Sequence, residues 1–146
     1  MKILILCTGN SCRSQMAEGF LKSFDPSLQV FSAGTNPADQ VNSLAIQVMA
    51  EAGIDISKNK PKHADQFLKD SFDFVITVCD RARENCPVFS GKVKKMLHIG
   101  FDDPAKEIGT NQEKMIEFRR VRDEIGKEFK NFIIQYKSYG KNETQS

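Results

Sequence analysis

The stretch from Lys2 to Ser14, KILILCTGNSCRS, carries the reading of the fold. Lys2 to Leu6 (KILIL) is a short apolar run with β-branched members, long enough for a strand and too short for a buried helix. A polar loop follows, and from Arg13 to Phe24 apolar residues return at helical spacing, with Met16, Phe20 and Leu21 on one side and Phe24 next. The unit is therefore strand, loop, helix. Three further runs read as strands: Gln29 to Ser32 (QVFS), Phe74 to Val78 (FVITV) and Lys95 to Ile99 (KMLHI). Between them, Gln40 to Ala52 puts Val41, Leu44, Ala45, Val48 and Met49 on one helical stripe, and Pro61 to Asp70 reads as a short helix after a loop. Thr110 and Glu113 form a T-x-x-E capping box, after which Met115, Phe118, Val121, Ile125, Phe129 and Phe132 recur at steps of three and four. Strands alternating with helices predict a single α/β domain over residues 1–139, a four-stranded parallel sheet flanked by helices on both faces. Gly140 to Ser146 (GKNETQS) has no apolar residue to bury and reads as a frayed tail.

Length and composition agree with one domain. The chain has 146 residues, against roughly 150 per domain. Its 21 Lys+Arg and 19 Asp+Glu leave a net charge of +2, too weak to argue for nucleic acid or a polybasic membrane contact. The longest apolar run, Ile3 to Cys7, falls far short of the ~18 residues that span a bilayer, and no signal-peptide pattern opens the chain. A cytoplasmic, monomeric protein in a reducing compartment is expected. Its four cysteines, Cys7, Cys12, Cys79 and Cys86, then point to chemistry or metal binding rather than to structural disulfides.

In parallel sheets ligands sit at the carboxyl ends of strands, which is where Cys7 and Cys79 fall. Cys7-Thr8-Gly9-Asn10-Ser11-Cys12-Arg13-Ser14 reads C-x5-R-S between a strand and a helix. A five-residue loop wrapping to a helix N-terminus points its backbone N–H groups inward and binds a tetrahedral oxyanion. Gly9 is expected to supply a positive φ. Arg13 offers a planar fork for two oxyanion oxygens. The same field is expected to hold Cys7 as a thiolate, with a pKa of roughly 3.5–7.5, with Ser14 donating its hydroxyl to it and Asn10 bracing the loop. The competing reading is a buried cysteine beside a tight turn. A second loop, Asp102-Asp103-Pro104-Ala105, follows the fourth strand and reaches the same rim; on its own it also reads as an ordinary surface turn.

Cys79 and Cys86 are seven apart. In a helix they share a face but stand ~10 Å apart along the axis, whereas a disulfide needs Cα atoms roughly 4.4–6.8 Å apart. They bridge only if the helix unwinds, and Pro87 already disfavours helix at Cys86. This is the layout of a redox switch. Two alternatives stand beside it: plain buried cysteines, and zinc, for which an x6 spacing is unusual.

CTGNSCRSQMAEGF, from Cys7 to Phe20, resembles the opening of the low-molecular-weight tyrosine phosphatase family, and within it the thioredoxin-coupled arsenate reductases. The resemblance returns at Ser32-Ala33-Gly34, at Gly53 to Ser57, at the Cys79/Cys86 segment, at Gly100 to Ala105 and at Arg120 to Ile125. It implies an oxyanion (arsenate or phosphate) held by Thr8, Gly9, Asn10, Ser11, Cys12, Arg13 and Ser14, with Cys7 as nucleophile. It implies Asp103, fixed by Pro104, as the acid that protonates the departing oxygen, with Asp102 as the alternative. It also implies a relay in which Cys79 and then Cys86 carry the oxidation to thioredoxin, and no organic cofactor. Cys12 is expected to pack, or to form a protective disulfide with Cys7 as in related phosphatases.

Three positions depart from the reductase pattern. Many such reductases hold potassium near the anion loop; Asn10, Glu18 and Ser32 match three of its ligands, but Lys62 stands at the remaining carboxylate position. An ammonium there is expected to replace the cation and pair with Glu18, unless a shifted alignment restores the site through Asp65. The segment Lys95 to Gly100 is one residue longer than usual, with Ile99 at a common aromatic position. Arg81 and Arg83 give the relay segment a positive face, which suits either solvation or a partner. The charges of the last helix read as a solvated face with pairs such as Asp123–Lys127, and His63 and His98 carry no metal spacing. Ala105 and Lys106, where phosphatases of this type place aromatics, favour a small inorganic oxyanion. A tyrosine phosphatase using Cys7, Arg13 and Asp103 is the alternative function, and a non-catalytic redox or phosphate sensor the third.

Overall fold

A computed structural model describes residues 1–145, with side chains through Tyr136. Four strands, β1 (Lys2–Cys7), β2 (Gln29–Gly34), β3 (Phe72–Thr77) and β4 (Val93–His98), form one parallel sheet in the order β2-β1-β3-β4. Four helices flank it: α1 (Arg13–Phe24), α2 (Ser43–Glu51), α3 (Asp80–Glu84) and α4 (Asn111–Gln145). The region from 61 to 70, expected as a short helix, holds one 3-10 turn, Ala64–Phe67. Asn42 caps α2 by accepting the Leu44 N–H at 2.8 Å, so that helix begins three residues later than expected. The expected tail, Gly140 to Ser146, lies outside the residues whose side chains are described.

Ile3, Leu4, Ile5 and Leu6 of β1 are all fully buried, as a central strand covered on both faces requires. Buried Met16, Ala17 and Leu21 of α1, and Phe118, Val121, Ile125 and Phe129 of α4, belong to the same core. β4 begins two residues before the expected run; it is an edge strand, and Lys94, Lys95 and Met96 are exposed. Lysines on an edge strand discourage pairing with another chain.

The capping box of α4 forms, with the Glu113 N–H donating to Thr110 Oγ1 at 3.2 Å. The basic face of α4 is more than solvated. Arg119 and Arg122 both reach Glu51 of α2, at 2.8 and 2.9 Å, and Arg122 also donates to the Val48 carbonyl. Asp123 pairs with Arg122 rather than with the expected Lys127. Among the described residues no helix is long and apolar enough to cross a membrane.

Candidate active site

The carboxyl ends of β1 and β3 and the turn after β4 converge on a cavity of about 910 Å³ whose lining includes Cys7, Arg13, Cys79 and Asp103. Its floor is the loop from Cys7 to Cys12. Every carbonyl of residues 7–11 is tied away from it. Thr35, Asn36, Ala38 and Asn42 donate their N–H groups to the carbonyls of Cys7, Thr8, Gly9 and Ser11, respectively, at 2.8–3.1 Å, and Gln15 Nε2 donates to the Asn10 carbonyl at 3.1 Å. Carbonyls drawn outward leave the loop N–H groups facing inward, which is an anion-binding nest. Gly34, at the end of β2, permits this packing: a Cβ there would stand 2.3 Å from the Thr8 carbonyl oxygen.

The left-handed residue of the loop is Asn10, at φ 50°, not the expected Gly9. Asparagine tolerates this conformation, and here its buried side chain is fully engaged. Nδ2 donates to Ser14 Oγ at 2.8 Å and Ser32 Oγ at 2.9 Å, while Oδ1 accepts from the Lys62 N–H at 2.9 Å and from Gln15 Nε2 at 3.1 Å. Ser14 thus takes its bond from Asn10. The Cys7 sulfur is paired with Cys79 and receives the Thr8 backbone N–H.

α1 begins directly after the loop, with neither a side-chain cap nor an acidic residue in its first turn. Its first N–H groups and positive dipole end are left for an anion. Arg13 is aimed by the Phe101 carbonyl, which accepts from one terminal nitrogen at 3.1 Å, and its other terminal nitrogen lies 3.6 Å from Asp103. Its Nε is buried and has no hydrogen-bond partner. A buried guanidinium N–H without an acceptor is costly, a cost that an oxyanion reaching Nε would relieve.

Asp103 caps the 3-10 turn Pro104–Lys106 by accepting the Ala105 N–H at 3.0 Å, which fixes its carboxylate at the rim beside Arg13. Asp102 points elsewhere. It pairs at 3.1 Å with Arg120 of α4, which also holds Glu117 and Glu124.

Cys79 is the N-cap of α3, and its sulfur accepts from the Ala82 N–H at 3.4 Å and lies 3.4 Å from Thr8 Oγ1. The Cys7 thiol hydrogen-bonds to it. That bond, supported by Thr8, Ala82 and Arg13, lowers the Cys79 thiol to about 5. The same bond, with burial, pushes the Cys7 thiol up. These directions run against the expected low-pKa thiolate on Cys7: its interaction with Cys79 raises the Cys7 thiol and lowers the Cys79 thiol. Cys12 is buried and pushed up to about 12 by that burial and by Asp103. It packs, as expected. Cys86 is half-buried, beyond the end of α3, and its thiol is raised by burial.

The residues at the family's potassium position do not fit a cation. Lys62 places its half-buried ammonium 3.2 Å from the Lys60 carbonyl, and burial lowers its pKa against the opposing field of Glu18. The expected Lys62–Glu18 ion pair is replaced by Lys22–Glu18 at 3.5 Å, with Asn59 also donating to Glu18. Both Asn10 side-chain atoms are committed, and Asp65 is exposed and turned to His63 at 3.6 Å. Sequence reading missed the fully buried Gln15, which braces Asn10, and Asn59, which reaches Gln15 and Glu18; only these contacts distinguish them.

A cysteine in an anion nest, an arginine at the helix start and an aspartate on a facing loop are the parts that a cysteine-based phosphoryl- or arsenyl-transfer site requires. The model of the low molecular weight phosphotyrosine protein phosphatase family matches residues 2–144, and the chain belongs to that family. Its relatives include the arsenate reductases of Halalkalibacterium halodurans, 50% identical, and Bacillus subtilis, 47% identical, each aligned over 89% of this chain and 93% of the relative. A solved structure described as an arsenate reductase in the phosphate binding state superposes with a TM-score of 0.77 at 31% identity, covering 92% of this chain and 97% of that one. A low molecular weight protein tyrosine phosphatase from Bacillus subtilis shares the fold, with a TM-score of 0.77 at 21% identity over 94% of this chain and 98% of that one.

Proposed function

We propose that this chain reduces arsenate to arsenite through Cys7, Cys79 and Cys86, with thioredoxin as the reductant. The observation that carries this reading is that Cys7 and Cys79 line the same cavity, with Thr8, the chain neighbour of Cys7, 3.4 Å from the Cys79 sulfur. Phosphate-ester hydrolysis in such a loop uses one cysteine, whereas reduction needs a second sulfur in reach of the first. The relatives' names point the same way.

Arsenate enters the nest and satisfies Arg13 Nε. Cys79 takes up the Cys7 proton, and the Cys7 thiolate attacks arsenic. Asp103 protonates the departing oxygen, which leaves as water and leaves a sulfur–arsenic(V) bond. Cys79 then gives up its proton and, as a thiolate supported by Thr8 and the Ala82 N–H, attacks the Cys7 sulfur. The sulfur–arsenic electron pair passes to arsenic, which departs as arsenite, and the Cys7–Cys79 disulfide remains. Deprotonated Cys86 attacks the Cys79 sulfur and releases Cys7 as a thiolate. The thioredoxin dithiol reduces Cys79–Cys86 and itself becomes the disulfide.

The test is NADPH consumption with arsenate, thioredoxin and thioredoxin reductase. Turnover in the wild type, lost in Cys79→Ser and in Cys86→Ser, is expected. Phosphate-ester hydrolysis is the second reading, because Cys7, Arg13 and Asp103 suffice for it. No arsenate turnover, with aryl phosphate hydrolysis that survives both substitutions, would make it the main activity.

A further inference from the structure

His98 ends β4, and its ring bridges two elements. Nδ1 lies 2.8 Å from Thr77 Oγ1 at the end of β3, and Nε2 lies 3.2 Å from Asp80 Oδ1, the first residue of α3. Room for the ring is built in: a Cβ on Gly100 would stand 2.9 Å from His98 Nε2. Thr77 is buried and its hydroxyl also reaches the Leu97 carbonyl at 3.5 Å. Asp80 has one further partner, Arg83 of its own helix, at 3.7 Å. His98 is thus the link from the sheet to the first turn of the helix that Cys79 caps.

We propose that His98 is a positioning residue for the redox segment. It tethers the first turn of α3 to the ends of β3 and β4 in the dithiol protein and opposes pairing of Cys79 with Cys86. The inference rests on the relay reading. Cys79 to Cys86 spans the whole of α3, so closing a disulfide across it unwinds the helix. Asp80, the neighbour of Cys79, is then drawn off the imidazole. A contact present in the dithiol form and lost in the disulfide form favours the dithiol.

The test is the thiol–disulfide equilibrium of wild type, His98→Ala, Asp80→Asn and the double variant in dithiothreitol buffers. Cys79 and Cys86 give up two protons and two electrons to form the S–S bond, and oxidised dithiothreitol takes up both. Acid-quenched samples are mapped for the Cys79–Cys86 peptide pair. Each single substitution is expected to favour the disulfide by about three- to tenfold, the worth of one partly exposed charged hydrogen bond. Tenfold corresponds to a potential about 30 mV more negative. The double variant is expected to shift no further than the singles, because both remove the same contact. Aryl phosphate hydrolysis by His98→Ala is expected to stay at the wild-type rate. Asp80 is exposed, so Asp80→Asn carries the test if His98→Ala does not fold. No Cys79–Cys86 disulfide in the wild type at any buffer ratio overturns the relay reading. A wild-type disulfide with unshifted, oppositely shifted or additive variants overturns the tether alone.

Discussion

Replacing Asn10 by alanine tests whether the anion loop is held by that side chain. Four side-chain hydrogen bonds, to Ser14, Ser32, Lys62 and Gln15 at 2.8–3.1 Å, are lost. At a net ~0.5–1.5 kcal/mol each they total about 2–6 kcal/mol. Alanine at φ 50° adds roughly 1 kcal/mol of left-handed strain. A loss of about 3–7 kcal/mol is expected, a large part of the ~5–15 kcal/mol that holds a domain together. Asn10→Gly removes the same bonds without the strain and should be about 1 kcal/mol less damaging than Asn10→Ala. Gly9→Ala should cost under about 1 kcal/mol, because its Cβ meets Ser11 Oγ at 3.3 Å and Ala38 Cβ at an ordinary 3.9 Å. Urea unfolding followed by circular dichroism gives all three values by linear extrapolation. An Asn10→Ala protein within 1 kcal/mol of wild type, or a Gly9→Ala protein less stable than Asn10→Ala, refutes the reasoning.

Three other outcomes are expected. Asp103→Asn should slow aryl phosphate hydrolysis about 10²–10⁴-fold, the usual worth of a general acid. Asp102→Asn, which loses only the exposed pair with Arg120, should change it by less than about threefold; the reverse order would move the acid to Asp102. Turnover should be equal in potassium and sodium buffers of matched ionic strength, since Lys62 and its neighbours offer no cation cage; several-fold stimulation by potassium contradicts this. The Cys79 thiol, at about 5 when folded, lies below its unfolded value of roughly 8.5. Its contribution to stability is therefore complete above ~8.5 and is lost as pH falls toward 5. Thiolate absorbance near 240 nm should show one group titrating near pH 5, absent in Cys79→Ser; a flat trace across that range in the wild type counts against a lowered Cys79 thiol.

Much of the fold was legible because few residue patterns make a parallel sheet. The buried run Ile3 to Leu6 and the spacing of Phe118, Val121, Ile125 and Phe129 each admit one reading. Cys7, Arg13 and Asp103 were legible because they lie at strand ends and loop turns, where local chemistry dictates position. Relations between distant segments were not. The left-handed conformation at Asn10 depends on Ser32 and Lys62, far along the chain, and glycine was the natural but wrong choice. The upward push on the Cys7 thiol was not legible because its largest cause is a second sulfur, 72 positions away. The roles of Arg119 and Arg122 likewise depend on Glu51 of another helix. β4 carries lysines at consecutive positions, which marks an exposed edge only once the strand order is known.

The relay is tested most directly by mapping disulfides after a single arsenate addition, without thioredoxin, followed by acid quench. The account predicts Cys79–Cys86 in the wild type and trapped Cys7–Cys79 in Cys86→Ser, with one arsenite released per protein molecule in each. Arsenite release without either disulfide, or no arsenate-dependent disulfide in a wild-type protein that hydrolyses aryl phosphate, contradicts it.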